Sequence, residues 1–122
     1  MAYEYSVDRE QRIVYARMSG SLTIDEVRQL VDELKNDPRV LSGFGELIDL
    51  RDATTDSISG DEVRHLATAM LDASTRRAFV TSDVLTYGLA RMFEIYRALH
   101  RKPDTSAVFR RLDDAEAWLS EA

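Results

Sequence analysis

A signal for the start of a helix occurs twice in this chain, each time ahead of an apolar stripe. Thr23 and Glu26 have the spacing of a capping box, with Leu22 and Val27 placed to pack together, and the arrangement returns at 58–63. A weaker copy at 112–117 opens a short last helix. Apolar side chains then recur at helical spacing, which predicts amphipathic helices. These stripes are Ile24, Val27, Leu30, Val31 and Leu34; Val63, Leu66, Ala67, Met70 and Leu71; and Ala115, Trp118 and Leu119.

Short β-rich runs lie before and between these helices. Residues 3–7 and 13–18 flank a polar turn and predict a hairpin, and further strands are predicted at 45–50, 78–81 and 107–109. The order ββαβαβαβα predicts a single α/β domain over residues 1–122, with a mixed sheet of about five strands that is parallel after the hairpin. A long helix over about 83–99 is predicted to bury Leu85, Leu89, Met92, Phe93, Tyr96 and Leu99.

Composition excludes several classes of protein. The 122 residues, 44% of them apolar, suffice for one core, and the absence of cysteine excludes disulfides and thiolate metal sites. No apolar run approaches the roughly 20 residues of a membrane span, and the N-terminus does not have the pattern of a signal peptide. We therefore expect a soluble cytoplasmic protein.

Residues for catalysis, metals and cofactors are few. His65 and His100 have no partners at metal-ligand spacing, and no phosphate-binding or dinucleotide-binding glycine loop occurs. The acidic pairs Asp49/Asp52 and Asp113/Asp114 could suggest acid–base catalysis, but they are explained as loop and helix-cap residues. We predict no enzyme activity, no catalytic residue, no metal and no cofactor.

Charge is distributed unevenly along the chain. The net charge is −6, yet residues 76–111 contain eight basic and only three acidic side chains. These cations either form a solvated surface or bind anions such as lipid headgroups at a membrane surface. The cations along or just beyond the long helix are Arg91, Arg97, Arg101 and Lys102. Nucleic acid is not expected, because the chain is acidic overall and has no nucleic-acid-binding motif.

A candidate ligand site follows the third predicted strand. Asp49 interrupts an apolar strand, so if buried it needs hydrogen bonds, most simply from amides of the following loop. The ends of neighbouring parallel strands meet, so Arg51, Thr81 and Ser82 are expected nearby. The full set of candidates is Asp49, Arg51, Thr81, Ser82, Tyr87, Gly88 and Phe93.

Two features of the candidate site have alternative explanations. Gly88 permits either a ligand or the sheet to approach the helix closely, and close packing is the simpler interpretation. A pocket beneath the second and third helices would be lined by Met70, Leu89, Phe93 and Tyr96, with arginines of 76–111 at its mouth. The same side chains would otherwise belong to an ordinary core.

The whole chain resembles SpoIIAA-like domains, relatives of the STAS domain of anti-sigma-factor antagonists and anion-transporter tails. The resemblance rests on the opening hairpin and on the segments at 19–23, 47–51, 77–83, 87–93 and 108–119. It implies a non-enzymatic module that binds a small apolar or anionic ligand or a lipid, since such domains are also similar to CRAL-TRIO lipid-binding domains. A homodimer is also expected.

The resemblance also implies an alternative, a protein-interaction domain controlled by phosphorylation. STAS antagonists are phosphorylated on a serine of an Asp-Ser-Ser-Gly segment, and here the segment reads Asp56-Ser-Ile-Ser-Gly60. Alignment on Ser-Gly makes Ser59 the candidate, with Ser57 beside it, although Ile58 stands where a serine would be. Ser59 is otherwise the N-cap of the second helix.

Overall fold

Within the residues that the structure describes, the chain folds as one α/β domain with five strands and four helices in the predicted order. The computed structural model describes residues 2–70 and 76–121. Its elements are β1 (Tyr3–Asp8), β2 (Ile13–Ser21), α1 (Ile24–Asn36), β3 (Gly45–Thr54), α2 (Gly60–Ala69), β4 (Arg76–Val80), α3 (Val84–Leu99), β5 (Thr105–Phe109) and α4 (Leu112–Leu119). The predicted fold class is confirmed.

The strands lie in the sheet in the order in which they occur in the sequence. β1 is antiparallel to β2, and β2 to β5 are parallel. Because each right-handed crossover advances in one direction, α1, α2 and α3 cover the same face. Ile48 and Phe79 point to these helices, whereas Leu47 and Ala78 point to α4 on the other face.

β3 is four residues longer than predicted. It pairs with β2 as far as Ser21 and Thr54, beyond a bulge in β2 between Arg17 and Ser19. Arg51 and Asp52 therefore lie within a strand, not at its end.

The first two predicted caps form and the third does not. In each capping box a hydroxyl accepts from the amide three residues later and the glutamate accepts in return; the Ser59 Oγ to Glu62 N distance is 3.1 Å. α4 instead begins one residue before the predicted cap, with Arg111 as its N-cap and no side-chain cap bond. Asp113 lies in the first turn and binds the Arg111 guanidinium at 3.0 Å.

The buried face of α3 differs from the predicted stripe. Leu85 and Leu99 are 52% and 69% exposed, so their predicted burial is wrong. The inward positions are instead Thr86, Ala90, Phe93 and Arg97. Two of these are polar, and their hydrogen bonds satisfy them inside the protein. Leu71, predicted for the α2 stripe, lies outside the described residues.

α1 is bonded to the edge strand β1. The Tyr3 hydroxyl donates to Glu33 at 2.5 Å, and the Tyr5 hydroxyl donates to Asp37 at 2.7 Å. The bond to Glu33, followed by burial, raises the pKa of Tyr3 to about 12. Both tyrosines therefore remain protonated donors at neutral pH.

A buried ionic network is the main polar feature of the interior. Arg97 is 2% exposed and binds Asp104 with two of its guanidinium nitrogens, Nε lying 3.1 Å from Oδ1. Arg77 Nη1 binds the other oxygen of Asp104 at 2.9 Å, and Arg77 Nε binds Glu46 at 3.0 Å. Buried charged side chains require such partners, because moving a charged group from water into the protein interior has a large free-energy cost.

The network joins elements that are far apart in the sequence. Arg97 Nη1 also donates to the carbonyl oxygens of Ala67 at 2.9 Å and Met70 at 3.1 Å, at the end of α2. Glu46 lies on β3, Arg77 on β4, Arg97 on α3, and Asp104 just before β5. The ends of α2, β3, β4 and α3 and the start of β5 are thus held together by two anions and two cations.

Asp104→Asn tests this network through its pH dependence. Burial alone would raise the pKa of Asp104, but the Arg97 hydrogen bonds and the two guanidinium charges outweigh it and lower this pKa. A lowered folded pKa stabilises the protein above the unfolded value of about 3.9, and that stability is lost as pH falls through the folded value. We expect the variant to lower the free energy of unfolding by about 3–5 kcal/mol near pH 7.

Urea denaturation across pH checks this expectation. The difference in free energy of unfolding between the unmodified protein and Asp104→Asn should shrink below about pH 4, as Asp104 becomes protonated in the unmodified chain. Asp56→Asn, at an exposed position, is the control and should change stability by no more than about 0.5 kcal/mol. A difference that stays constant over the whole pH range would contradict the role of the Asp104 charge.

Ser59→Ala tests the α2 cap. We expect it to lower the free energy of unfolding by about 1 kcal/mol, because the Glu62 amide loses its acceptor. Ser57→Ala is the matched control, since Ser57 is also exposed but lies before the cap position. Equal thermal melting of the two variants would show that the capping box adds nothing to stability.

Candidate functional site

A large cavity lies between the sheet and the three helices that cover one face. Its volume is about 990 Å³, which is at the upper end of the range for small-molecule sites. Strand residues form its floor, and α1, α2 and α3 form its walls. The apolar lining includes Met18, Ile48, Leu50 and Phe79 from the strands, and Val27, Leu30, Val31, Val63, Leu66, Leu89, Ala90 and Phe93 from the helices.

The cavity opens between α1 and α2. The side chains that line it and are also exposed lie there: Arg28, Asp32 and Lys35 on α1, Leu41 and Ser42 in the loop after α1, and His65 and Ala69 on α2. Arg28 pairs with Asp25 at 3.4 Å, a weak contact between exposed groups. The charged or ionisable side chains at the opening are therefore two cations, a histidine and one carboxylate, and the apolar Leu41 and Ala69 lie beside them.

Polar side chains line the cavity near both ends of the parallel strands. Near the carboxyl ends of the strands, the buried hydroxyls of Thr55 and Thr86 lie 2.8 Å apart, and Thr86 also contacts Asp83 at 3.1 Å. Near the amino ends of the strands, Arg77 and Glu46 line the cavity as an ion pair. The middle of the cavity is apolar.

The predicted pocket agrees with this cavity only in part. Met70, Leu89 and Phe93 line it, whereas Tyr96 does not. α1 supplies a wall that sequence reasoning missed, because the order of the strands places α1 beside α2 on the same face. The cations at the opening also come from α1, and not from the arginines of 76–111 as predicted.

The candidate residues at the strand ends form a separate polar group. The Arg51 guanidinium binds Asp49 at 2.9 and 2.8 Å, and its backbone amide donates to the same carboxylate. Asp49 is thus bonded within its own strand, and not by the following loop. The hydrogen bonds from Arg51 lower the pKa of Asp49, against the opposing effect of burial. Ser82 Oγ donates to the Arg51 carbonyl at 2.7 Å.

The remaining candidates in this group have different environments. Thr81 is buried, and its Oγ1 has no hydrogen-bond partner among the described residues. The Arg110 guanidinium lies over the Tyr87 ring at 4.9 Å. Gly88 is exposed, and a Cβ there would meet no described atom within 4 Å, so the close-packing interpretation is wrong. Of the seven candidate residues, only Phe93 lines the cavity.

The predicted basic surface loses one of its members. Arg97 is buried in the ionic network and cannot contribute to a surface. Arg91 is exposed and pairs with Glu94 at 2.8 Å. Arg101 is exposed and Lys102 is half-buried.

The remaining sequence candidates lie on the surface. Ser57 and Ser59 are exposed in the turn before α2. His65 is at the cavity opening, and His100 ends α3. Within residues 2–70 and 76–121, no cluster of three or more potential ligands could hold a metal ion. None of the helices in those ranges has the length and apolar character to cross a membrane.

Comparison with known proteins identifies the fold. No family model and no curated protein matches the sequence. The structure is similar to that of an uncharacterised protein of the DUF3478 family from Shewanella loihica PV-4, which has a SpoIIAA-like fold. The similarity covers 97% of this chain and 94% of that one, with a TM-score of 0.58 and 18% sequence identity. The five-stranded α/β domain described here therefore has a SpoIIAA-like fold.

Proposed function

We propose that this chain is a non-enzymatic module that binds an elongated apolar molecule with an anionic group. The cavity between the sheet and α1, α2 and α3 is the observation that carries the proposal. Its volume of about 990 Å³ and its apolar lining suit a fatty acid or a similar amphiphile. Burial of the apolar chain would supply most of the affinity.

The opening favours an anionic head group. Arg28 and Lys35 line it from α1, and His65 lines it from α2. Lys35 has no ion pair within the described part of the chain, so its charge is available to a ligand. The Asp32 carboxylate at the same opening would repel an anionic head group, which limits the expected effect of charge on ligand affinity.

A purely binding role fits the polar groups that line the interior. Arg77 is held by Glu46 and Asp104, and Thr86 by Thr55 and Asp83. Each of these groups is hydrogen-bonded to another protein group, which accounts for its place in the cavity wall without a catalytic role.

The alternative function is a STAS-type protein-interaction domain regulated by phosphorylation. The exposure of Ser59 at the N-terminus of α2 favours it, because a kinase could reach the hydroxyl. A phosphate would break the capping box and would meet repulsion from Asp61 and Glu62. In that case Ser59→Asp should weaken the binding of a partner protein and Ser59→Ala should prevent modification. Intact partner binding by both variants would leave Ser59 with its role as a cap.

A cavity-filling substitution tests the binding proposal. Ala90 is 6% exposed and lines the cavity, so Ala90→Leu should occupy part of its volume. We expect at least a tenfold loss of affinity for the fluorescent fatty acid cis-parinaric acid, measured by fluorescence titration. Val31→Trp fills the cavity from α1 and keeps the test valid if Ala90→Leu does not fold.

The matched control is Ala117→Leu, an exposed position on α4 across the sheet. It should bind the probe as the unmodified chain does. If the unmodified protein does not bind the probe, or if folded Ala90→Leu and Val31→Trp bind it equally well, the proposal is wrong.

A charge reversal at the opening tests the head-group preference. Lys35→Glu should weaken dodecanoate binding roughly twofold to fivefold, as expected for one exposed charge pair, and leave 1-dodecanol binding unchanged. Competition with cis-parinaric acid measures both ligands. Arg9→Glu, at an exposed position in the hairpin turn, is the control of equal charge change. Equal losses for acid and alcohol would show that the opening does not recognise charge.

A further inference from the structure

Two buried threonine side chains line the cavity near the carboxyl ends of the strands. Thr55 directly follows β3 and is 5% exposed, and Thr86 lies in the first turn of α3 and is 1% exposed. Their hydroxyl oxygens lie 2.8 Å apart, and the Thr86 oxygen lies 3.1 Å from a carboxylate oxygen of Asp83. The three groups form a short hydrogen-bonded chain that runs from Asp83 to Thr55.

The chemistry of these groups determines which one donates in each hydrogen bond. A threonine hydroxyl has one proton to donate and two lone pairs that accept, whereas an ionised carboxylate only accepts. Thr86 therefore donates its proton to Asp83, and Thr55 donates its proton to Thr86. No other donor within residues 2–70 and 76–121 is bonded to the Thr55 hydroxyl oxygen. This oxygen can accept a further hydrogen bond, but it has no proton left to donate.

We propose that this end of the cavity selects a ligand whose far end carries a hydrogen-bond donor, such as a hydroxyl group. The inference rests on the proposed function and narrows the ligand to an amphiphile with an anionic head group and a hydroxyl at the opposite end of its chain. Because Thr55 is buried in the cavity wall, a further donor can reach its oxygen only from the cavity. An ether oxygen there would receive no proton, and a methyl group would leave the Thr55 lone pairs without a partner.

The position of the threonine pair sets the orientation of such a ligand. The Leu22 amide donates to the Thr54 carbonyl at 2.9 Å, so α1 begins at the same end of the sheet as Thr55. Lys35, at the opening, lies in the last turn of α1, about 16 Å along the helix axis from Ile24. An anionic head group near Lys35 and a hydroxyl group near Thr55 would therefore lie at opposite ends of an extended chain.

Competition with cis-parinaric acid tests the hydrogen-bond preference. The competing ligands are dodecanoate, 12-hydroxydodecanoate and 12-methoxydodecanoate, together with the matching set of 16-carbon acids. At one or both chain lengths, the unmodified protein should bind the hydroxy acid about fivefold more tightly than the methoxy acid, because only the hydroxyl can donate to Thr55. Circular dichroism checks that each variant is folded.

Two substitutions that preserve side-chain shape separate the donor and acceptor roles. Thr55→Val removes the acceptor, so the preference for the hydroxy acid should fall to about twofold or less. Thr86→Val instead leaves Thr55 with a proton to donate, so the methoxy acid should gain affinity and approach the hydroxy acid. Thr54→Val, at an exposed position beside Thr55, is the control and should keep the preference of the unmodified protein.

The outcomes separate this inference from the proposed function on which it rests. If the unmodified protein binds the plain acids but binds hydroxy and methoxy acids equally well, the cavity is a ligand site and the inference about Thr55 is wrong. A preference that persists unchanged in folded Thr55→Val or Thr86→Val would also contradict it, because the selectivity would then arise from the size of the end group. Failure of every acid and of cis-parinaric acid to bind would overturn both proposals.

Discussion

The ion pairs between Asp104 and the guanidinium groups of Arg97 and Arg77 hold the helical side of the fold together. Asp104 is the carboxylate partner of the buried Arg97, and it shares Arg77 with Glu46, so these buried charges depend on one another. Because Arg97 also binds the last carbonyls of α2, the network fixes the end of α2 against α3. Two of the three helices that surround the cavity are therefore held in place by one polar cluster, and the apolar lining does not have to pack tightly to fix them.

Most of the fold could be predicted because local signals and topology agree. Thr23 and Ser59 begin their helices where the capping boxes predict, and alternation of strands and helices leads to one parallel sheet after the hairpin. α3 is the exception, because apolar residues lie on both of its faces and periodicity cannot decide which one is buried. The burial of Arg97 determines which face is inward. Its partner Asp104 lies outside α3, so the helix sequence alone would place this charged side chain in water.

The candidate site could be predicted much less well. Phe93 was found because aromatic residues on a covering helix usually face the sheet, but the cavity also depends on how far α1 stands from α2. That distance is set by the whole packing arrangement and leaves no local pattern in the sequence. Asp49 and Arg51 gave a strong signal as an irregularity in an apolar strand, and they bind each other away from the cavity. A conspicuous charge in a strand thus indicated a local ion pair.

Hydrogen bonds from Tyr3 and Tyr5 hold α1 against the sheet without any contribution from the neighbouring helix α2. They attach α1 to the edge strand, while no hydrogen bond or ion pair joins α1 to α2 among the described residues. The opening lies along this seam, so it can widen by sliding of apolar side chains without breaking a polar contact between the two helices. A molecule in the cavity could therefore exchange with solvent through small side-chain motions, at rates set by its own desolvation and not by local unfolding of the domain.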